Sequence, residues 1–180
     1  GFAFDFIVND PKDGKPWDFG LASKRERARK LLREQKPYML IGSPACKAFS
    51  TWMALSAAKS KDPQAIARAK TAAGVHMSFV ISLYHEQLEG GRYFLHEHPL
   101  YASSWALPAM EELSDVPGVR RVHGDQCQFG AEAARGRTRG QPIKKPSGFL
   151  TNSQRVADSL ERRCRGVGGL CSRPKGGRHQ

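Results

Sequence analysis

The chain has 180 residues, of which 39% are hydrophobic and 26% are charged. These values are ordinary for a soluble globular protein, and the length is sufficient for one domain with a sizeable core. No apolar run approaches the roughly 20 residues that cross a bilayer, so we expect no membrane partner.

Basic residues are concentrated in the last third of the chain. Residues 1–119 carry 15 Lys and Arg against 13 Asp and Glu, whereas residues 120–180 carry 14 against 4, within a net charge of +12. This asymmetry predicts a polyanionic partner, and nucleic acid fits it best. A solvated basic tail is the alternative.

The four cysteines, Cys46, Cys127, Cys164 and Cys171, do not form the pattern of a disulfide framework. A chain of this length folds without such bridges, and its first residues do not resemble a signal peptide. We therefore expect reduced thiols and an intracellular protein. Because the sequence starts at GFAFDF without a methionine and ends at GGRHQ, we expect a piece of a longer protein.

Local patterns predict the elements of the first half in chain order. The aromatic and β-branched run at 2–8 predicts a buried strand, followed by a loop rich in turn residues. Strong helix formers at 23–35 predict a helix, and the PYMLIG segment, between Pro37 and Gly42, predicts a second strand. Residues 51–59 and 62–88 are predicted helices, the second with Asp62 as its cap and Pro63 in its first turn.

The second half predicts further strands at 92–97, closed by Pro99, at 118–124 and, in the SGFLTNS segment, at 147–153. A helix begins near Ser104, with Pro108 in its first turn, and a closing helix over 153–164 is capped by Ser153. The remaining tail is rich in Gly and Arg without hydrophobic periodicity, and we expect it to be flexible.

Alternating strands and helices at this spacing predict an α/β fold. The expected architecture is a Rossmann-like three-layer sandwich with a mostly parallel sheet, truncated at its N-terminus. It occupies residues 1–153 and is followed by a closing helix and basic tail over 154–180. Ligands bind beyond the carboxyl ends of the strands in such sheets. Those ends are Asp5, the turn at 42–46, Glu97 with His98, and the GDQCQFG loop.

The segment YMLIGSPACKAFSTW places Cys46 between a predicted strand and a predicted helix. A helix N-terminus stabilises a thiolate and lowers its pKa, which makes a cysteine at this position a candidate nucleophile. A small buried residue at a tight turn is the alternative. A second strand end carries the carboxylate of Glu97, and a nucleophile beside an acid is a chemically useful pair.

Two motifs carry a resemblance to a known family. IGSPACKAFS resembles the catalytic loop of the DNA cytosine-5 methyltransferases, usually Gly-Gly-Pro-Pro-Cys-Gln-x-Phe-Ser, and YFLHEHP resembles their Glu-Asn-Val or Glu-Asn-Pro segment. Further on, CQFG and KKPSGFLTNS are similar to elements of phage-type members. The resemblance covers residues 2–153, and it extends to methyltransferase-like segments of mobile-element polyproteins.

The resemblance implies S-adenosylmethionine-dependent methylation of cytosine in DNA, with RNA as an open alternative, and hence a nuclear location. The Cys46 thiolate would add to carbon six of the base, and Glu97 would hydrogen-bond the ring nitrogen and exocyclic amine. The base would leave the duplex to be reached. Four residues are expected to contact the cofactor: Asp5, Trp17, Asp18 and Pro44. Seven are expected to contact nucleic acid: Lys47, Ser50, Arg135, Arg137, Arg139, Lys144 and Lys145.

The chain departs from the family pattern at three positions. Ala45 stands where the family has proline, Lys47 replaces glutamine, and His98 replaces asparagine. The glycine-rich loop that binds methionine in these enzymes is expected to precede the first residue. These departures keep open a second hypothesis, a catalytically inactive nucleic-acid-binding module of a larger polyprotein.

Three further chemistries remain open. His96 and His98 alternate on a strand and share a face, but no third metal ligand follows at a recognisable spacing, so no metal is assigned to the catalytic site. A hydrolase would pair Cys46 with a histidine: His76, His85 or His98. In the tail, Cys164, Cys171 and His179 offer three ligands for a structural zinc, with the fourth expected beyond the C-terminus.

Overall fold

The computed structural model describes residues 3–4, 7–50 and 62–180. The helices in these ranges are α1 (Ala22–Gln35), α2 (Pro63–Glu89), α3 (Pro108–Ser114) and α4 (Gln154–Leu160). The strands are β1 (Met39–Gly42), β2 (Tyr93–Pro99), β3 (Arg120–Asp125) and β4 (Pro146–Thr151). Short 3₁₀ helices occupy Lys47–Phe49, Ser103–Ala106 and Gln126–Phe129.

Most predicted elements are confirmed, and the long helix shows why. Asp62 caps α2 by accepting a 2.8 Å hydrogen bond from the backbone N–H of Ala65, and Pro63 occupies the first turn, where its missing N–H is harmless. The predicted helix over 51–59 and part of the predicted strand over 2–8 lie outside the described residues. Residues 3, 4, 7 and 8 of that segment are not in a strand.

The four described strands form one mixed sheet in the order β1-β2-β4-β3. β1 and β2 are parallel, whereas β4 is antiparallel to both of its neighbours. The α/β class is therefore confirmed, but the prediction of a mostly parallel sheet is wrong. The reason lies between β3 and β4, where a 3₁₀ helix and a loop replace the crossover helix that a parallel return requires.

Helices cover both faces of the sheet. On one face, Phe94 of β2 and Leu150 of β4 pack in a core with residues of α2 and α3, including Tyr84 and Met110. On the other face, Phe149 of β4 packs with Val122 of β3 and Ala157 of α4. Neighbouring residues of one strand thus point into different cores, as the two-residue period of a strand requires.

The closing helix ends at Leu160, earlier than the predicted 164. The chain leaves the helix here because its backbone is bound to Asp125 at the end of β3. The Asp125 N–H donates to the carbonyl of Arg162 at 2.9 Å, and the Cys164 N–H donates to Asp125 Oδ2 at 2.7 Å. The tail that follows is packed, in contrast to the predicted flexible tail: Cys164 and Cys171 are buried, and a backbone bridge joins Leu170 to Arg178.

Candidate functional site

The antiparallel β4 brings polar residues to one edge of the sheet. At this edge β1, β2 and β3 end and β4 begins, since β4 runs opposite to β2 and β3. Ser43 Oγ and Ser147 Oγ each donate a 2.7 Å hydrogen bond to the Glu97 carboxylate, one to Oε2 and the other to Oε1. Gln126 Nε2 donates to Ser147 Oγ at 3.1 Å. We call these four side chains the edge network.

Cys46 lies in the loop that follows β1, three residues after Ser43. Its side chain is half-buried, and its carbonyl accepts a 3.0 Å hydrogen bond from the N–H of Phe49, which is buried in the core. Ser50 Oγ donates to the carbonyl of Lys47 at 2.8 Å and closes the 3₁₀ turn. In the described residues Cys46 therefore precedes a single 3₁₀ turn, and the longer helix expected to stabilise its thiolate falls at residues that the structure does not describe.

Gly42 is required where β1 enters this loop. A Cβ at this position would collide with the hydroxyl of Tyr84 on α2. That hydroxyl lies 3.0 Å from Nδ1 of His96, the β2 residue paired with Gly42 in the parallel register. The glycine thus lets the loop start in contact with the buried pair of Tyr84 and His96.

His96 and His98 share the buried face of β2, as predicted, and Glu97 points to the opposite face. Burial, with a smaller contribution from His98, lowers the pKa of His96 to about 3. Burial also lowers the pKa of His98, whose Nδ1 lies 2.5 Å from Ser104 Oγ. Because strand alternation separates Glu97 from both imidazoles, the three side chains do not form one metal site.

The hydrolase hypothesis gains no support from the histidines. His76 lies on α2 near the Cys46 loop, but within the described part of the chain no hydrogen bond joins Cys46 to His76, His85 or His98. Burial lowers the pKa of His76. A catalytic pair would need such a bond to orient the base.

A cavity of about 350 Å³ lies beside the loop and holds two of the predicted cofactor residues, Trp17 and Pro44. Its walls also include Phe4, Ser43 and Tyr84. Trp17 is 2% exposed, and its ring meets that of Phe4 edge to face at 4.7 Å. Aromatic and apolar walls are typical of cavities that bind small molecules.

A second cavity of about 360 Å³ adjoins the first, since Pro44, Ala45 and His76 line both. It contains the predicted cofactor residue Asp18 and the predicted nucleic-acid residue Lys47. Asp18 Oδ1 accepts a 2.8 Å hydrogen bond from the Gly20 N–H, so its carboxylate also shapes a turn. Asp5, the fourth predicted cofactor residue, lies outside the described residues.

The predicted nucleic-acid residues of the second half are exposed. Lys144 and Lys145 directly precede β4. The carbonyl of Lys145 accepts a 3.1 Å hydrogen bond from the backbone N–H of Gln126, a member of the edge network. Residues 133–141, which we call the basic loop, carry the other three: Arg135, Arg137 and Arg139. The base of this loop is closed by a bridge between Glu132 and Pro142.

A separate cluster of sulfur and nitrogen atoms lies where the tail meets the end of β3. Its members are Cys127, Cys164, Cys171 and His179, whose ligand atoms all lie within 4.8 Å of one another. Burial raises the pKa of the Cys127 thiol to about 11. Burial also opposes ionisation of Cys164, but hydrogen bonds from Ser172 and Gly166 outweigh it and lower the pKa of Cys164 to about 6.

Sequence reasoning found Cys46 and Glu97 but missed the residues that join them to their surroundings. Ser43 and Ser147 stand in the segments GSP and KPS, and no local signal marks either serine as a partner of Glu97. The sequence places Cys127 in the GDQCQFG loop after a predicted strand, and nothing local groups it with the tail ligands. Its proximity to the tail depends on tertiary structure, and no local spacing signals it.

Comparison with known protein families, with curated proteins and with solved structures found no match. In residues 3–4, 7–50 and 62–180, no helix combines the length and the apolar character needed to span a bilayer.

Proposed function

We propose that this chain methylates carbon five of cytosine in DNA through a covalent adduct of Cys46. The observation that carries the proposal is the hydrogen bond from Ser43, in the Cys46 loop, to Glu97 on the next strand. It fixes the candidate nucleophile loop against the candidate acid. A thiolate adds poorly to an unactivated ring, so both groups must act on the same base.

Glu97 is suited to bind the edge of a cytosine ring. Its two carboxylate oxygens each accept one serine hydroxyl, which fixes the plane of the group and leaves further lone pairs free to accept. In the proposed reaction one Glu97 oxygen accepts a hydrogen bond from the exocyclic amine, and the other carries a proton that it donates to the ring nitrogen. This contact stabilises the charge that develops when the Cys46 sulfur bonds to carbon six.

Trp17 and Pro44 would hold S-adenosylmethionine through the apolar walls of the first cavity, with Asp18 at the adjoining one. The cofactor, when bound, supplies an electrophilic methyl group. After carbon five gains the methyl group, its proton leaves and the Cys46 sulfur is expelled from carbon six, which restores the aromatic base.

In this proposal the basic residues bind the phosphates of the nucleic-acid backbone. Lys144 and Lys145 lie at the edge that carries Glu97, and in the described part of the chain neither forms an ion pair. Extrusion of a base costs stacking energy, and contacts to flanking phosphates offset it. A DNA substrate implies a nuclear location.

A second candidate is an inactive nucleic-acid-binding module. It is favoured by the exposed Ala45 at the family's proline position and by the two cavities beside the loop, since neither Cys46 nor Glu97 lines either of them. The basic surface would be retained in such a module, while Cys46 would have no chemical role.

The two candidates differ in whether Cys46 adds to cytosine, and isotope exchange tests this directly. Addition of the thiolate to carbon six lets carbon five take a deuteron from D₂O, and elimination then expels the thiolate and a proton. The chain is incubated with cytosine-containing duplex DNA in D₂O, with and without S-adenosylmethionine, and the base is analysed by mass spectrometry. We expect deuterated cytosine in both arms and 5-methylcytosine only with cofactor.

Cys46→Ser and Glu97→Gln are the matched variants, and both are expected to abolish exchange while DNA binding remains. DNA binding by the wild-type chain without exchange in either arm would refute catalysis and establish the binding module. Exchange that survives Cys46→Ser would refute the assigned nucleophile.

A further inference from the structure

The cluster at the junction of the tail and β3 has the composition of a metal site. The cluster contains three cysteines and one histidine, whose ligand atoms all lie within 4.8 Å of one another: Cys127, Cys164, Cys171 and His179. We propose that these four residues bind a single structural zinc ion. The fourth ligand is then Cys127, inside the domain, and no residue beyond the C-terminus is needed.

Two distances within the cluster match tetrahedral coordination. The Sγ atoms of Cys164 and Cys171 lie 3.8 Å apart, and Cys164 Sγ lies 3.6 Å from His179 Nε2. A tetrahedral zinc with usual bond lengths of about 2.3 Å to sulfur and about 2.0–2.1 Å to nitrogen separates such atoms by about 3.8 Å and about 3.5–3.6 Å. A disulfide would hold the two sulfurs about 2.05 Å apart, so the cysteines are free.

The backbone of the tail is folded to present these ligands. The N–H of Cys171 donates to the Gly177 carbonyl, and the N–H of His179 donates to the Gly169 carbonyl, each at 2.7 Å, which places the two ligands on paired segments. Gly166 permits the preceding turn, because a Cβ there would collide with the carbonyl of Leu170. The glycines that predicted a flexible tail instead allow a tight loop around the cluster.

Donors surround the sulfur atoms as they do in metal-thiolate sites. The backbone N–H and the hydroxyl of Ser172 approach Cys164 Sγ at 3.4 and 3.5 Å. Gln128 Nε2 approaches Cys127 Sγ at 3.5 Å and Cys171 Sγ at 3.6 Å. Such contacts orient ligands and stabilise the charge of a thiolate.

The ligand set selects the metal and its role. Three thiolates and an imidazole favour zinc over calcium or magnesium, which prefer oxygen. Four protein ligands complete the tetrahedron and leave no open position, which is the property of a structural rather than a catalytic zinc. The three cysteines are buried and His179 is partly buried, so the ion would be shielded from solvent.

The site would also anchor the basic loop. Arg173, two residues after Cys171, donates from Nη1 to Glu132 at 2.7 Å and from Nη2 to the Gly140 carbonyl at 3.3 Å. The Gln180 N–H donates to the Pro142 carbonyl at 3.1 Å. Zinc binding by the tail therefore holds both ends of the basic loop, whatever chemistry occurs at Cys46.

The test is the metal content of the purified full chain, measured by mass spectrometry after dialysis against zinc-free buffer. We expect one zinc per chain in the wild type. Cys127→Ser, Cys171→Ser and His179→Gln are each expected to weaken zinc binding by more than about 100-fold, and Gln128→Ala by about tenfold. Cys46→Ser and His85→Gln, which change the same residue types outside the cluster, are expected to retain one zinc.

Cobalt(II) substitution keeps the test valid if a ligand variant does not fold. The wild-type chain with cobalt in place of zinc is expected to show the intense ligand-field bands of a tetrahedral site and thiolate-to-metal charge transfer. A wild-type chain without zinc, a six-coordinate cobalt spectrum, or a disulfide between Cys164 and Cys171 would each overturn the proposal. So would zinc that is retained in the Cys127→Ser chain at wild-type affinity.

Discussion

Ser43 donates a 2.7 Å hydrogen bond from Oγ to Oε2 of Glu97, and so joins the loop after β1 to the end of β2. The parallel register pairs Gly42 with His96, which places the next residue of each strand at the same level. The contact therefore arises from the pairing of two strands.

Removal of this contact is expected to slow chemistry at Cys46 without unfolding the chain. In Ser43→Ala the Glu97 carboxylate keeps only Ser147, so its orientation relative to the Cys46 loop is less restricted. We expect a rate of isotope exchange about tenfold lower, because hydrogen bonds to charged groups are among the stronger ones. Ser159→Ala, which removes an exposed serine hydroxyl from α4, is the control. An equal rate in Ser43→Ala and wild type would refute the role of this contact.

Gly42→Ala is expected to destabilise the fold, because the new Cβ would displace the Tyr84 hydroxyl from His96. Overpacking of this kind lowers the free energy of unfolding by about 1–3 kcal/mol. In the double variant with Tyr84→Phe, the loss is expected to be smaller than the sum of the single losses by about 0.5 kcal/mol or more. Denaturant titration measures the free energy of unfolding of the two single variants and of the double variant.

The matched control is Gly74→Ala in α2, where nothing lies within 4 Å of the added Cβ. This change is expected to raise the free energy of unfolding by about 0.5–1 kcal/mol, as helical propensity predicts. Strict additivity of Gly42→Ala and Tyr84→Phe would show that the hydroxyl is not what Gly42 avoids.

Local signals were sufficient to predict α1, α2 and the four strands β1 to β4, but not the absence of a strand at residues 3, 4, 7 and 8. Asp62 and Pro63 fixed the start of α2, and Ser153 fixed that of α4. The direction of β4 has no local signal. It depends on the link over 126–145, which forms a 3₁₀ helix and a loop in place of a crossover helix, and the alternation of elements wrongly favoured a parallel strand.

The same limit applies to the sites. Cys46 and Glu97 could be predicted because each stands at a recognisable strand end. Ser147 reaches Glu97 only because β4 lies beside β2, with Glu97 paired to Phe149. Likewise, Cys127 meets the tail only because Asp125 binds the backbone of Cys164. Contacts between distant segments follow from topology, and the topology was the part of the fold predicted least well.

The buried histidines are expected to make the protein sensitive to mild acid. His96 is neutral in the folded state with a pKa of about 3, whereas it takes a proton near pH 6.5 when unfolded. Between these values the unfolded state binds more protons, so stability is lost as the pH falls below about 6.5, by up to about 1.4 kcal/mol per pH unit for one group. The lowered pKa values of His98 and His76 act in the same direction.

Denaturant titration between pH 5 and 7 measures this slope. His96→Gln is expected to reduce the slope of unfolding free energy against pH by up to about 1.4 kcal/mol per pH unit, the contribution of one proton, even if the variant is less stable overall. Tyr84→Phe removes the partner of His96 but keeps the imidazole buried, so it is expected to lower stability and retain the slope. An unchanged slope in His96→Gln would contradict the assignment.

Lys144 and Lys145 are expected to bind nucleic-acid phosphates. Each phosphate contact contributes about 0.9 to the slope of log affinity against log salt concentration, so the double variant Lys144→Gln, Lys145→Gln is expected to reduce that slope by about 2. Fluorescence anisotropy of a labelled duplex between about 50 and 200 mM salt provides the measurement. Lys30→Gln on α1, whose side chain pairs with Glu34, is the control and is expected to leave the slope unchanged. If the double variant also leaves it unchanged, the lysines at the start of β4 do not contact the backbone, and the nucleic-acid surface must lie elsewhere on the basic half of the chain.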